Sequence, residues 1–338
     1  MRKTTRASTA LLAATLVPLL YATPAGAQNL HSWVTTGGTG SDCVFVSPCA
    51  DFNTAISKTI SGGEIRCKGA GFYPPFTIDK AISIVCDDYQ AAVTSGGGLP
   101  IAINIKAGPN DIVSLNGFDI DEGGLGTTAI TGIVFQSGAA LHLNKIKVRN
   151  TRQPSDNAGG IYFQPNTDAQ LYISDSIITG NSGGGSLSGG IVITPSASAS
   201  VNAFISRVKV EGNSTGIIVD GKRSTGAAVN AIVLDSVVVG STKDGILAQT
   251  SAGKAPVSVF IDHSVVSGNI ESGVRVDGPP GLAGTPSPMN VRISDSTITL
   301  NDKGVSSNIT DVFYSYKNNR INGNKNDDVT RVKPLSLQ

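Results

Sequence analysis

The stretch ISDSIITGN, Ile173 to Asn181, returns as ISDSTITLN at Ile293 to Asn301, with seven of nine letters identical 120 residues later. A phrase repeated at that distance implies that the chain re-enters one environment more than once. With its last letter as a ruler, the register falls on Asn150 in IKVRN, Asn213 in VKVEGN, Ser241 in VVVGS, Asn269 in VVSGN and Asn324 in RINGN, and Glu122 opens the series. Steps run from 23 to 32 residues. A second marker follows each, a glycine before an aliphatic pair: Gly132-Ile133, Gly160-Ile161, Gly190-Ile191, Gly216-Ile217, Gly245-Ile246, Gly273-Val274 and Gly304-Val305. Two markers on one beat predict a stacked repeat.

The segments GIYFQ, GIVIT, GIIVD and LYIS alternate by two and are rich in Ile and Val, so they read as strands. Gly, Ser, Asn and Pro separate them. A leucine-rich repeat would need LxxLxL spacing, a left-handed hexapeptide helix a six-residue beat, and a propeller blade more strands per unit. The remaining solution is an all-β, single-stranded right-handed parallel β-helix, a solenoid of about 8–10 coils with a short N-terminal capping helix. Outward loops can then vary in length while each coil returns to register. Asn150, Asn181, Asn213, Asn269, Asn301 and Asn324 are expected to stack as an internal ladder that satisfies buried turn backbone. Glu122 and Ser241 depart from it, and a looser turn is expected there.

An open coil end needs a cover. SPCADFNTAISKTISGGEI reads as that cover: Ser47 as N-cap, Pro48 at the first helical position, Phe52, Ala55, Ile56 and Thr59 on one face, and Gly62-Gly63 as the stop.

Arg2, Lys3 and Arg6 precede an apolar run, Ala10 to Ala22, and a small-x-small site at Ala25-Gly26-Ala27, the pattern of a secretory signal peptide. The expected organisation is 1–27 signal peptide, 28–62 disulfide-bearing segment and helix, 63–325 solenoid, and 326–338 tail. No later stretch is long and apolar enough to cross a bilayer. Without the leader the chain holds 23 basic against 25 acidic residues, so nothing argues for nucleic acid. All four cysteines lie between 43 and 86, and export favours the disulfides Cys43–Cys49 and Cys67–Cys86.

DFNTAISKTISGGEIRCKGAGFYPPFTIDKAISI, residues 51–84, resembles the opening of the pectin-lyase-like β-helix superfamily: a helix with an AI core, a Gly-Gly turn, a strand, a Gly-Phe turn and a TIDKAISI strand. With the repeats, the resemblance covers about residues 45–325, and it is similar above all to exported bacterial β-helix repeat proteins of unassigned activity. It implies a fold shared by polysaccharide lyases, hydrolases, esterases and adhesins, and leaves the chemistry open.

Beside each Gly-Ile marker, alternation should send two columns outward. One is Val134, Tyr162, Val192, Ile218, Leu247, Arg275 and Ser306. The other is polar throughout: Gln136, Gln164, Thr194, Asp220, Gln249, Asp277 and Asn308. Asp220 and Asp277, two coils apart, form the candidate carboxylate pair, about 10 Å between backbones, with Arg275 to hold an acidic sugar. Tyr162, Gln136, Gln164, Thr194, Gln249 and Asn308 are candidate ligand-binding residues. IDHSVVSGN, 261–269, is similar to the pectate-lyase phrase WIDHxxxS, yet it occupies the repeat position of ISDS and reads as filler. Asp119, Asp121 and Glu122 read as an acidic turn. His31, His142 and His263 are scattered, so no metal and no cofactor is expected. The expected partner is a polysaccharide, met through an exposed sheet face. A lyase or hydrolase and a noncatalytic surface protein remain the alternatives.

Overall fold

A computed structural model of the chain describes residues 28–94, 100–121, 123, 131–153, 158–279 and 288–336. The expected leader, 1–27, and Glu122 lie outside them. The described strands form three long parallel sheets of twelve, nine and ten strands, plus a two-stranded piece. One coil shows the path. Gly159–Phe163 belongs to the nine-stranded sheet, Ala169–Ser174 to the twelve-stranded sheet and Ile177–Thr179 to the ten-stranded sheet, before the chain returns one layer on as Gly189–Ile193. Every ladder pairs a strand with its counterpart one coil later, always in parallel. This is a parallel β-helix.

Three aliphatic rows fill the interior. Ile133, Ile161, Ile191, Ile217, Ile246, Val274 and Val305 stand in one register. Ile173, Ile205, Val233, Ile261 and Ile293 form the second. Val148, Ile178, Val210, Val238, Val266 and Ile298 form the third, so the two copies of the repeated phrase share one internal row. All of these side chains are buried, each contributing about 1.5–3 kcal/mol by leaving water.

The phrase itself encodes two corners. Asp175 turns the chain in the left-handed region, φ 51°, as do Lys145, Arg207, Asp235, His263 and Asp295 at the same point of their coils. The following serine forms a ladder: Ser176 Oγ accepts from Ile146 N–H, Ser236 Oγ from Val208 N–H, Ser264 Oγ from Ser236 N–H and Ser296 Oγ from Ser264 N–H. Gly180 makes the second left-handed turn, φ 67°, a conformation that costs other L-residues roughly 1–2 kcal/mol.

Asn181 then begins an amide ladder. Asn181 N–H and Nδ2 both donate to Asn213 Oδ1 at 3.0 Å, and Asn213 Nδ2 donates to Ile178 O. Asn269, Asn301 and Asn324 repeat the pattern. A Cβ on Gly190 would lie 2.9 Å from the Asn213 amide, and one on Gly273 2.8 Å from that of Asn301. The two sequence markers therefore explain each other: the glycine makes room for the neighbouring asparagine.

Three expectations need correction. Asn150 is not a rung: Arg149 pairs with Thr179, so Asn150 aligns with Gly180 and Thr151 with Asn181. Thr151 N–H donates to Asn181 Oδ1, while Asn150 takes the left-handed turn at φ 60°. The turn at Ser241 is not loose either. Ser241 is buried and its N–H donates to Asn269 Oδ1 at 3.0 Å; only its short side chain breaks the ladder. Finally, the helix is shorter than expected, Phe52–Lys58, capped by Asp51, whose Oδ1 accepts from Thr54 N–H. Ser47 and Pro48 cannot start it, because Ser47 bridges Val44 and Cys49 bridges Val34. Gly62-Gly63 lies within the strand Thr59–Cys67.

The disulfides are Cys43–Cys49 and Cys67–Cys86, with Cα–Cα distances of 4.6 and 4.8 Å. The second ties Thr59–Cys67 to the end of the next strand of its sheet, Ile82–Val85. Asn29–Val34 already pairs in parallel with Thr59–Cys67. At the far end Val332–Pro334 pairs with Phe313–Ser315.

Candidate functional site

The face of the nine-stranded sheet carries the expected columns, but most of it is closed. Val134, Tyr162, Val192, Ile218 and Leu247 point away from the solenoid interior and are nevertheless buried, forming a second apolar cluster with Ile101 and Leu187. Tyr162 Oη donates to Leu187 O, so the segment between Gly183 and Gly189 folds over the face. Tyr162 is 8% exposed and is thus not a free ligand-binding ring. Burial also raises its phenol pKa far above the ordinary range.

The polar column satisfies itself. Gln136 Nε2 donates to Asn104 Oδ1, and Gln164 is half-buried. Thr194 Oγ1 donates to Asp220 Oδ2 at 2.9 Å, and Lys222 N–H donates to Asp220 Oδ1. Asp220 is 1% exposed, so it cannot act as one of a solvent-facing carboxylate pair. Gln249 lies between the two aspartates, and Lys222 Nζ donates to Gln249 Oε1 at 2.9 Å and to Asp277 Oδ2 at 3.2 Å. Asn308 Nδ2 donates to Asp277 Oδ1. Arg275 turns from Asp277 towards Asp244 and Glu271, at 3.4 and 3.6 Å. Burial raises the Asp244 carboxyl pKa despite this cation. Asp277, Arg275, Lys222 and Asn308 remain accessible at the C-terminal coils.

A cleft opens on another face, over the first strands of the ten-stranded sheet. Its strands Gly71–Tyr73, Ala91–Val93, Phe118–Asp121 and Lys147–Arg149 are consecutive neighbours. Register places Phe72 beside Ala92 and Ala92 beside Asp119 on the outward side. The small Ala92 between a phenyl ring and a carboxylate makes the depression, a cavity of about 560 Å³. Phe72 is 77% exposed. Across from it stands a charged network. Arg149 Nε and Nη2 donate to the two oxygens of Asp119 at 3.0 and 2.8 Å, and Arg149 Nη1 lies 3.1 Å from Asp121 Oδ2. Gln90 Nε2 donates to Asp119 Oδ2, and Asn150 Nδ2 and Gly123 N–H donate to Asp121 Oδ1. Burial pushes the Asp121 carboxyl pKa up, but those hydrogen bonds and the Arg149 charge outweigh it and hold it below the ordinary value. Arg149 is held more firmly protonated, first by its bond to Asp119.

Sequence reasoning read Asp119 and Asp121 as a turn and passed over Phe72 and Arg149. The signal was present in FDID, whose alternation sends both carboxylates to one side, and in KVR one coil later. Other aromatic residues are placed differently. His142, Tyr172 and Phe204 stack on one another over the twelve-stranded sheet, centroids 4.5 and 5.1 Å apart, so both faces of Tyr172 and one face each of His142 and Phe204 are already used. Half-buried Asp262 and the exposed corner residues His263 and Asp295 hold ligand-type atoms within 4.8 Å of one another, a grouping common without an ion.

No protein-family model matches the chain, and no curated protein matches it. Among solved structures it is similar to pectate lyase Pel9A, at 14% identity and TM-score 0.51, over 86% of this chain and 78% of that one. It is similar also to the A-module of the mannuronan C-5 epimerase AlgE4 of Azotobacter vinelandii, at 14% identity and TM-score 0.50, over 82% and 91%. At this identity the likeness is one of fold: the chain is a right-handed parallel β-helix.

Proposed function

We propose that the protein is an exported β-helix that binds a polysaccharide, noncatalytically, in the cleft on its ten-stranded sheet. The observation that carries this reading is the exposed Phe72 ring facing the Asp119–Arg149–Asp121 network across Ala92. A sugar offers an apolar C–H face and a rim of hydroxyls, and an open aromatic surface with adjoining fixed donors and acceptors complements both. Both Asp119 oxygens are engaged, and Asp121 is kept ionised at neutral pH, so neither serves as a general acid there. The pectate lyase and the mannuronan epimerase, whose names place them on polysaccharides, lend support to a glycan partner. Support for export comes from the two disulfides and the leader-like N-terminus. Among the described residues no helix is long and apolar enough to cross a membrane.

Residues 28–338 should bind on a polysaccharide array, release no new reducing ends and form no unsaturated products absorbing in the ultraviolet. Phe72→Ala should reduce binding at least tenfold. Retention of binding in that variant would show that the cleft is not the glycan site. A second reading, polysaccharide cleavage on the nine-stranded sheet, draws on the accessible Lys222 and Asp277, 3.2 Å apart. It predicts product formation that Lys222→Ala abolishes.

A further inference from the structure

We infer that copies of this protein dock head to tail, the apolar tip of the Cys43–Cys49 loop of one entering a cavity at the C-terminal end of the next. Val44, Phe45 and Val46 stand at that tip, Phe45 55% and Val46 85% exposed. Consecutive apolar side chains held in water form the kind of patch that marks an interaction surface. The fold fixes them there. The disulfide closes the loop, Ser47 N–H donates to Val44 O across a tight turn, the Trp33 ring stands nearly perpendicular to Phe45 at 5.7 Å, and Lys68 Nζ donates to Phe45 O. A tip ordered before contact loses little freedom on docking.

The matching hollow lies at the other end, where Ile321, Val329, Val332 and Pro334 help to line a cavity of about 250 Å³. About 150 Å³ is enough for a benzene ring, so it admits Phe45 or Val46. Both features occupy the corner between the twelve- and ten-stranded sheets. The loop pairs with Asn29–Val34, the first strand of the twelve-stranded sheet, and reaches Lys68, which joins Thr59–Cys67 to Gly71–Tyr73. Lys317 and Asn319, also lining the cavity, sit in the last such corner, between Phe313–Ser315 and Arg320–Ile321. Stacking solenoids on one axis with these corners aligned sets the tip over the cavity. The charges complement each other. Asp42, Asp51 and Lys68 border the loop, a net charge of −1. Lys317, Arg320 and Asp327 border the cavity, a net charge of +1, and its other charged neighbours pair internally, Asp328 with Arg331 and Lys333 with Asp311. A loop tip in one cavity is a small interface, so association is weak and concentration-dependent. A head-to-tail contact does not close on itself, so it extends into a filament. Each copy adds about 50–55 Å, the height of twelve stacked strands.

The test is sedimentation velocity of residues 28–338 from about 1 μM to 1 mM, with electron microscopy of the concentrated sample. The sedimentation coefficient should rise with concentration, and the images should show rods that lengthen in whole-molecule steps. Val46→Asp spoils the tip and Val329→Asp the cavity; both side chains are at least half exposed, so circular dichroism should show the fold intact. Each variant alone should associate at least tenfold more weakly. Mixed, they should form dimers and nothing longer, because the intact tip of Val329→Asp meets the intact cavity of Val46→Asp and both outer ends are then blocked. A monomer at every concentration would overturn the inference. So would association that Val46→Asp abolishes and Val329→Asp leaves unchanged, which would mean tip-to-tip contact, or a mixture that stays monomeric.

Discussion

Replacing Ser241 by asparagine should stabilise the solenoid, and the structure fixes by how much. Asn213 finds no amide in the next coil; it meets Ser241, which is 0% exposed and whose Oγ has no hydrogen-bond partner. In the intact part of the ladder, one asparagine contributes three bonds: its Oδ1 accepts from the preceding rung's N–H and Nδ2, and its Nδ2 donates to a carbonyl such as Ile178 O. The equivalent carbonyl for residue 241 is Val210 O, since Val210 stands to Val238 as Ile178 stands to Val210. Space exists because the facing residue is still a glycine, Gly216, whose Cβ position lies 3.3 Å from Ser241 Oγ. Three bonds at about 0.5–1.5 kcal/mol net, less roughly 1 kcal/mol for freezing the longer side chain, leave about 0.5–3.5 kcal/mol. In a chain of this size that raises Tm by about 1–5 °C. Thermal and urea unfolding of residues 28–338, followed by circular dichroism, should show the rise, and Ser241→Ala should be neutral or slightly stabilising because an orphan hydroxyl is removed. A fall in stability with asparagine would refute the ladder as an energetic device.

Asn301→Ala should cost about 2–4 kcal/mol, since Asn269 N–H and Nδ2 and the Val266 carbonyl all lose their partner in a buried network; urea unfolding reads it. Leu300→Gly should gain about 1 kcal/mol, because Leu300 sits at φ 59°, where Gly180 stands one copy earlier, and is 71% exposed with little packing to lose; Tm reads it. His263 occupies a corner row that alternates in charge: Lys145, Asp175, Arg207, Asp235, His263, Asp295. Its hydrogen bond to Asp262, then the charges of Asp262, Asp295 and Asp235, raise its pKa against desolvation. A raised folded value means the contribution is complete below the unfolded value of about 6.5 and is lost as pH rises through the folded one. The urea midpoint should therefore drop as pH climbs above about 6.5, and His263→Lys should flatten that slope.

The fold was legible because a parallel stack repeats its constraints. Ile178 and Ile298 share a row, and the phrase around each had to be nearly the same. Asn150 was misplaced by one residue because asparagine tolerates the left-handed turn almost as glycine does, so one letter served two positions. The helix start failed because a disulfide loop and bridge pairing overrode a local Ser-Pro signal. The site was harder. Period-two alternation tells which side of a strand a residue faces, not whether a loop covers that side, and Leu187 closes over Tyr162 from 25 residues away. Phe72, Asp119 and Arg149 belong to three separate coils, and their meeting depends on Ala92 being small. Nothing local in the sequence marks that depression.

The most direct measurement is a crystal structure of residues 28–338 soaked with an oligosaccharide of the polysaccharide bound most tightly on the array. Sugar density should run parallel to the solenoid axis, one ring flat on Phe72 and the next within hydrogen-bonding reach of Arg149 and Asp121. Density over Lys222 and Asp277 on the nine-stranded sheet, with the Phe72 cleft empty, would contradict it.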